Sequence, residues 1–187
     1  MTIDELYNIL LNDKPSDIIR KREEELFSLI PELKKCKGFN QHNDWHIYDV
    51  YEHILHVVDN VPSNLILRLS ALFHDIGKPF SYTEDENGVG HFYGHWEVSQ
   101  TIFNEFAEKY IIDKDISDKV SKLIYYHDIN LDKISGDELK KMINIFSKEE
   151  IEQLYELKKA DLLSQNHKYN YILDEYENQK KKLVRLK

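Results

Sequence analysis

An all-α fold is the prediction, and three observations carry it. The 187-residue chain holds only six glycines and four prolines. Apolar residues recur at helical spacing through most of its length. Helix start signals are frequent, while no segment alternates strongly enough to read as a strand. There is no internal repeat and no low-complexity linker, so the helices belong to one domain over residues 1–187.

The elements follow in order. Thr2 with Glu5 fits a capping box and opens the first helix. Residues 16–29 read as an early helix. Residues 49–60, DVYEHILHVVDN, make the next; Asp49 either caps it or orients His53. Ser63 is the expected cap of a helix over 64–76, with Gly77 as its left-handed terminating residue and Pro79 barring continuation. Residues 80–94, FSYTEDENGVGHFYG, form the clearest loop, with three of the six glycines. Helices are expected over 95–110, 117–127, 136–146, 148–166 and 168–185. Ser135 with Glu138 and Ser147 with Glu150 supply two more capping boxes. The sum is eight or nine helices. The first 40 residues and the last 20 are helical additions packed on a central bundle.

Composition bounds the function. Charged residues make up 32% and the hydrophobic set 41%, as in soluble globular proteins. No apolar run approaches the roughly 20 residues that span a membrane. The acidic N-terminus MTIDELYNILLND lacks the basic region of a signal peptide. Cys36 is the single cysteine, which excludes an intramolecular disulfide, reads as a structural thiol and points to a reducing cytoplasmic compartment. A net charge of −9 argues against a general polyanion-binding surface. The tail QKKKLVRLK is the local exception, either a helix end whose cations suit the C-terminal dipole or a contact for an anionic partner such as nucleic acid.

The histidines carry the chemistry. Seven of nine lie between residues 42 and 95. His53 borders the apolar stripe of Val50, Ile54, Val57 and Val58. His74 and Asp75 end the mostly apolar helix in ALFHDIGKP. His127 closes LIYYHD in the same fashion, followed by Asp128. Asp161 sits beside the apolar face of Leu154, Leu157, Ala160 and Leu163. A buried carboxylate needs a partner, and a divalent metal suits a neutral imidazole and a carboxylate together. His42, His56, His91 and His167 read as ordinary surface or hydrogen-bonded histidines. His46 and Asp128 stand either behind the ligands or in the substrate space.

The pattern His53, His74-Asp75, Asp161 resembles the HD superfamily of metal-dependent phosphohydrolases, over roughly residues 45–165. WHIYDVYEHILHVVD, RLSALFHDIGKP, HFYGHWEVS and LIYYHD look most like the HD domain of bacterial tRNA nucleotidyltransferases. The glycine-rich, carboxylate-bearing head of those enzymes has no counterpart here, so the resemblance implies a free-standing hydrolase and not CCA addition. It also implies a helical bundle with the metal between its central helices. His53, His74, Asp75 and Asp161 match the core ligands. His95 and His127 match the extra histidines of two-metal members, with Asp75 then bridging; His95 meets either metal or substrate phosphate. GHW at 94–96 departs from the GHE of the nucleotidyltransferase version but leaves His95 intact.

The implied reaction is hydrolysis of a phosphomonoester or phosphodiester by a metal-bound hydroxide, on a nucleotide or similar small phosphate ester, with 2′,3′-cyclic or 2′-phosphates favoured. One or two ions of Mn, Fe, Co, Ni or Zn fit the donors, and Mg is admissible. Lys78 would neutralise the phosphate or protonate the leaving oxygen, unless it simply faces solvent past the helix end. Arg68 is a candidate phosphate clamp, or a surface residue. Tyr82, His91, Phe92 and Tyr93 of the 80–94 loop would stack on a base or sugar. A di-iron oxygenase and a non-catalytic nucleotide-sensing module are the competing readings.

Overall fold

The computed structural model describes residues 1–131 and 133–187, and it is helical as the sequence predicts. The N-terminal segment contributes α1 (Ile3–Leu10), α2 (Pro15–Lys21), α3 (Glu23–Leu29) and the single turn α4 (Leu33–Cys36). The capping box of Thr2 and Glu5 opens α1. The expected helix over 16–29 is divided: at Arg22 the backbone turns to φ −122°, ψ 26°, ending α2 and starting α3. The Cys36 thiol is buried, and burial pushes its pKa far up, so it packs as a small apolar group.

The centre is built from α5 (Val50–Asn60), α6 (Leu65–Phe73), α9 (Lys114–Tyr126) and α11 (Lys148–Leu163), which pack on one another. Helix α8 (His95–Lys109) lies on α9, and α12 (Ile172–Leu186) lies on α11. Helix α10 (Gly136–Ile145) opens at Ser135 and α11 at Ser147, as expected. The reciprocal box forms at Ser147 with Glu150. At Ser135 only the hydroxyl caps, accepting from Glu138 N, and the Glu138 carboxylate accepts from the Tyr126 hydroxyl. From Leu67 to Phe73 every residue of α6 is buried, so it is the axis of the bundle. A 3₁₀ turn over His167–Tyr169 precedes α12, where one continuous helix was expected.

Three local expectations are corrected around α6. Asn64, not Ser63, is the cap: its Oδ1 accepts from Leu67 N, while the Ser63 hydroxyl donates to Leu11 O. Gly77 does not take the left-handed conformation; its φ is −77°. The chain instead tightens through Asp75 and Ile76 and starts a new turn, α7 (Lys78–Ser81), with Pro79 in its first turn where no helical N–H is needed. Gly77 is required for closeness: a Cβ there would lie 2.5 Å from His95 O and 2.7 Å from Ser99 N. Its own N–H donates to the Ser99 hydroxyl at 2.9 Å, tying the end of α6 to the start of α8.

The 80–94 segment holds a two-residue antiparallel pair, β1 (Thr83–Glu84) with β2 (Gly90–His91), in a chain where no strand was expected. Such short ribbons leave no periodicity to read.

Candidate metal centre

Five segments converge on one buried point. His53 comes from the first turns of α5. His74 and Asp75 come from the end of α6. His95 opens α8, His127 ends α9, and Asp161 lies in the last turn of α11. Gly94 enters α8 with φ +76°, a left-handed conformation that favours glycine and turns His95 inward. His74 and His127 are equivalent devices. Each follows the last residue of its helix and donates Nδ1–H to the carbonyl three residues back, Ala71 O and Ile124 O, both at 2.7 Å. These are acceptors that a helix end leaves unsatisfied.

The other two imidazoles are fixed likewise. His95 Nδ1 donates to Phe92 O at 2.9 Å and His53 Nδ1 to Ser164 O at 3.3 Å. A carbonyl only accepts, so each Nδ1 carries the hydrogen and each Nε2 offers a lone pair. Those four Nε2 atoms face inward. His53 Nε2 and His74 Nε2 are 3.4 Å apart, and His95 Nε2 and His127 Nε2 are 3.2 Å apart. Lone pairs so opposed need a cation or proton between them.

Asp75 joins the two pairs through different oxygens. Its Oδ2 lies 3.3 Å from both His53 Nε2 and His74 Nε2. Its Oδ1 lies 3.2 Å from His95 Nε2 and 3.6 Å from His127 Nε2. Asp161 Oδ1 completes the first group, 3.0 Å from His53 Nε2 and 3.9 Å from His74 Nε2. Ligand bonds near 2.1 Å place adjacent donors about 3.0 Å apart in an octahedron and about 3.4 Å apart in a tetrahedron. Most of the separations in the two groups, His53–His74–Asp75–Asp161 and Asp75–His95–His127, lie near those values, with His74–Asp161 at 3.9 Å and His127–Asp75 at 3.6 Å the longer ones. Both groups have a metal ion's donor chemistry. Asp75 Oδ2 is buried, and besides the two imidazoles its near neighbour is the Lys78 ammonium, ion-paired at 2.6 Å. The residues present therefore fit a divalent ion.

The electrostatics agree. Burial favours a neutral Asp75 carboxyl, but His74, Lys78, His127 and His53 hold it well below the usual carboxylate range. Asp161 is held low against burial by His53 and His74. Burial would lower His53, yet Asp161 and Asp75 push it up to about 9. Two carboxylates and four inward nitrogens make a cluster suited to a cation.

Lys78 is buried rather than solvent-facing. Its ammonium lies 2.6 Å from Asp75 Oδ2 as an ion pair, donates to Gln41 Oε1 at 2.9 Å, and sits 3.3 Å from His46 Nε2. His46 stands over His53, ring centroids 5.1 Å apart. Burial and Lys78 push its pKa well below 6.5, so it is neutral. Asp49 caps α5 through Glu52 N.

Two expected substrate contacts fall elsewhere. Arg68 is 3% exposed within α6 and lines no cleft at this site. Its guanidinium donates to Val58 O at 2.5 Å and Pro62 O at 3.3 Å. Val58 O would take its helical bond from residue 62, a proline without an N–H, and Arg68 supplies the missing donor. The Tyr82 hydroxyl donates to Glu84, and its ring packs on Phe39 and Phe92 away from the cleft. Asp128 does line the cleft, but as an exposed carboxylate outside the buried cluster.

The cleft over the centre has a volume of about 810 Å³. His91, Phe92 and Tyr93 reach it from the loop, and Trp45 and Tyr171 stand on its rim. Gln41 and Lys158 are the site residues that sequence reading missed. Gln41 sits in a loop without periodicity. Lys158 was legible in principle: it follows Leu154 by four residues, on the apolar face of α11.

The HD domain family model matches residues 44–179. The chain is 26% identical over 108 residues to the A-adding tRNA nucleotidyltransferase of Deinococcus radiodurans, an alignment covering 54% of this chain and 25% of that protein. It is 31% identical over 132 residues to the CC-adding tRNA nucleotidyltransferase of Thermus thermophilus, covering 66% of this chain and 30% of that protein. The chain thus spans less than a third of the length of either relative.

Proposed function

The chain belongs to the HD domain family, and from that premise we propose that it is a phosphohydrolase that uses one or two divalent ions to cleave a small phosphate ester. The carrying observation is Asp75, whose two carboxylate oxygens face two separate sets of imidazole lone pairs. In this reading His53, His74, Asp75 and Asp161 hold one ion, and Asp75, His95 and His127 hold the other. A divalent ion supplies activated water near neutral pH and draws charge from phosphoryl oxygens. The Nδ1–H tethers orient the four imidazoles so that each Nε2 faces the ion positions, with the extra proton of His53 displaced when an ion binds.

Lys78 acts on the substrate side. Its ammonium lies on the cleft wall, steadied by Gln41 and His46. There it neutralises the phosphoryl group or donates a proton to the departing oxygen. Exposed aromatics favour a nucleotide as substrate: Trp45, Tyr93 and Tyr171 are 42%, 75% and 72% exposed, and all three line this cleft. Such rings offer a face to a base. The likeness to the nucleotidyltransferases favours 2′,3′-cyclic and 2′-phosphates. A reducing, cytoplasmic setting suits the single buried thiol of Cys36.

Mn-loaded protein should release phosphate or open the cyclic ester from a panel of 2′,3′-cyclic, 2′-, 3′- and 5′-nucleotides, with Asp75→Ala inactive. Bound metal without turnover on any of them would favour a nucleotide sensor. Iron content with oxygen consumption would favour a di-iron oxygenase, which the same six side chains could serve; Lys78 beside the cluster weighs against that.

A further inference from the structure

One buried cation belongs to neither ligand group. Lys158 is 2% exposed, and burial pushes its pKa down to about 8. Nothing in the ligand sets requires a lysine there, and an uncharged side chain of similar length would fill the space without that cost. Its ammonium makes two directed bonds, to His127 O at 2.8 Å and Ile129 O at 2.7 Å. Both carbonyls lie just past the last residue of α9, where the helix leaves acceptors unpaired and its dipole is negative. The Tyr176 ring of α12 covers the ammonium, 4.8 Å from its centroid. Lys158 also lies one turn before Asp161 on α11.

We propose that Lys158 is a positioning residue, a latch that fixes the end of α9 on α11 and thereby holds His127 Nε2 against Asp75 Oδ1. Among the described residues His127 makes no other hydrogen bond to the helix that carries Asp161, its Nδ1–H being spent within α9; packing and the Lys122–Glu150 ion pair join the two helices further from the site. The first ion group then depends on α5, α6 and α11 directly, and the second depends on α11 through Lys158. The inference rests on the two-ion reading above.

The test is Mn stoichiometry and stepwise affinity, read by calorimetry and by the electron paramagnetic resonance of coupled Mn pairs, on full-length protein. Wild type should bind two ions. Lys158→Met should keep the first at unchanged affinity, weaken the second by about 10–100-fold, and lose the coupled-pair signal. His127→Ala should lose the same ion, and the double variant should be no worse than His127→Ala alone. Lys158→Ala with added ethylammonium should regain part of the second ion's affinity, which packing alone would not restore. That arm also carries the test should Lys158→Met fail to fold. Two ions bound at wild-type affinity in Lys158→Met, or equal weakening of both, would overturn the latch while leaving the two-ion centre standing. A wild type that binds a single ion would remove the two-ion reading, and the latch with it.

Discussion

Asp75 concentrates the chemistry in one side chain. Its Oδ1 and Oδ2 serve different imidazole pairs, so Asp75→Asn should strip both groups of their shared charge. Metal-saturated turnover should fall on the order of 10³-fold, read from initial rates. His53 gives a pH signature. In metal-free protein its pKa stands raised, from 6.5 to about 9. The pairing of its charged form with Asp161 and Asp75 therefore stabilises fully below pH 6.5 and is lost as pH rises through 9. Metal competes with that same proton, so ion affinity should rise across this window while metal-free stability falls. Unfolding and metal titrations at three pH values check both slopes. Arg68 separates structure from catalysis. Arg68→Met leaves Val58 O buried and unsatisfied, and should cost about 1–3 kcal/mol in urea unfolding with turnover per folded molecule unchanged. A phosphate clamp would show the reverse.

At the level of the element, the centre depends on how helices end. His74 and His127 each close a helix and return Nδ1–H to it, so LFHD and LIYYHD place their imidazoles by the same rule. That much was legible: its apolar content marked α6 as buried, LIYYHD closes in the same fashion, and a polar pair at a buried end asks for a partner. Gly77 was misread because a glycine after a helix usually serves a left-handed turn, whereas here it allows the approach of α8. Only tertiary contact carries that information. Gly77→Ala should cost about 1–3 kcal/mol by overpacking. By moving His95 it should also weaken the second metal group more than the first, as a Mn titration would show. Of the two roles open to Asp49, capping α5 or orienting His53, the structure shows the cap: its Oδ1 accepts from Glu52 N at 2.7 Å, while His53 Nδ1 meets Ser164 O.

Across the whole molecule, the sequence specifies a helical bundle whose buried imidazoles and carboxylates could hold a divalent ion. The family match over residues 44–179 extends past the expected 45–165 because part of α12 belongs to it, and α12 supplies Tyr176 and Ile172 to the cleft. The basic tail is partly neutralised within the fold: Lys180 pairs with Glu152 and Glu177, and Lys181 with Glu177. Gln41 and Lys158 escaped sequence reading because their partners lie 37 and 29–31 residues away. Bound metal should stabilise the whole bundle. At one hundred times its dissociation constant an ion adds about 2.7 kcal/mol, so removing it with a chelator should lower the melting temperature by several degrees. The most direct measurement is metal content, by mass spectrometry, of wild type and Asp75→Ala purified without chelator or nickel resin. One or two divalent ions per wild-type chain and none in Asp75→Ala is the predicted result. A wild type that holds no metal, even after incubation with Mn or Ni, would contradict the account and return His74 and Asp75 to the role of a structural pair.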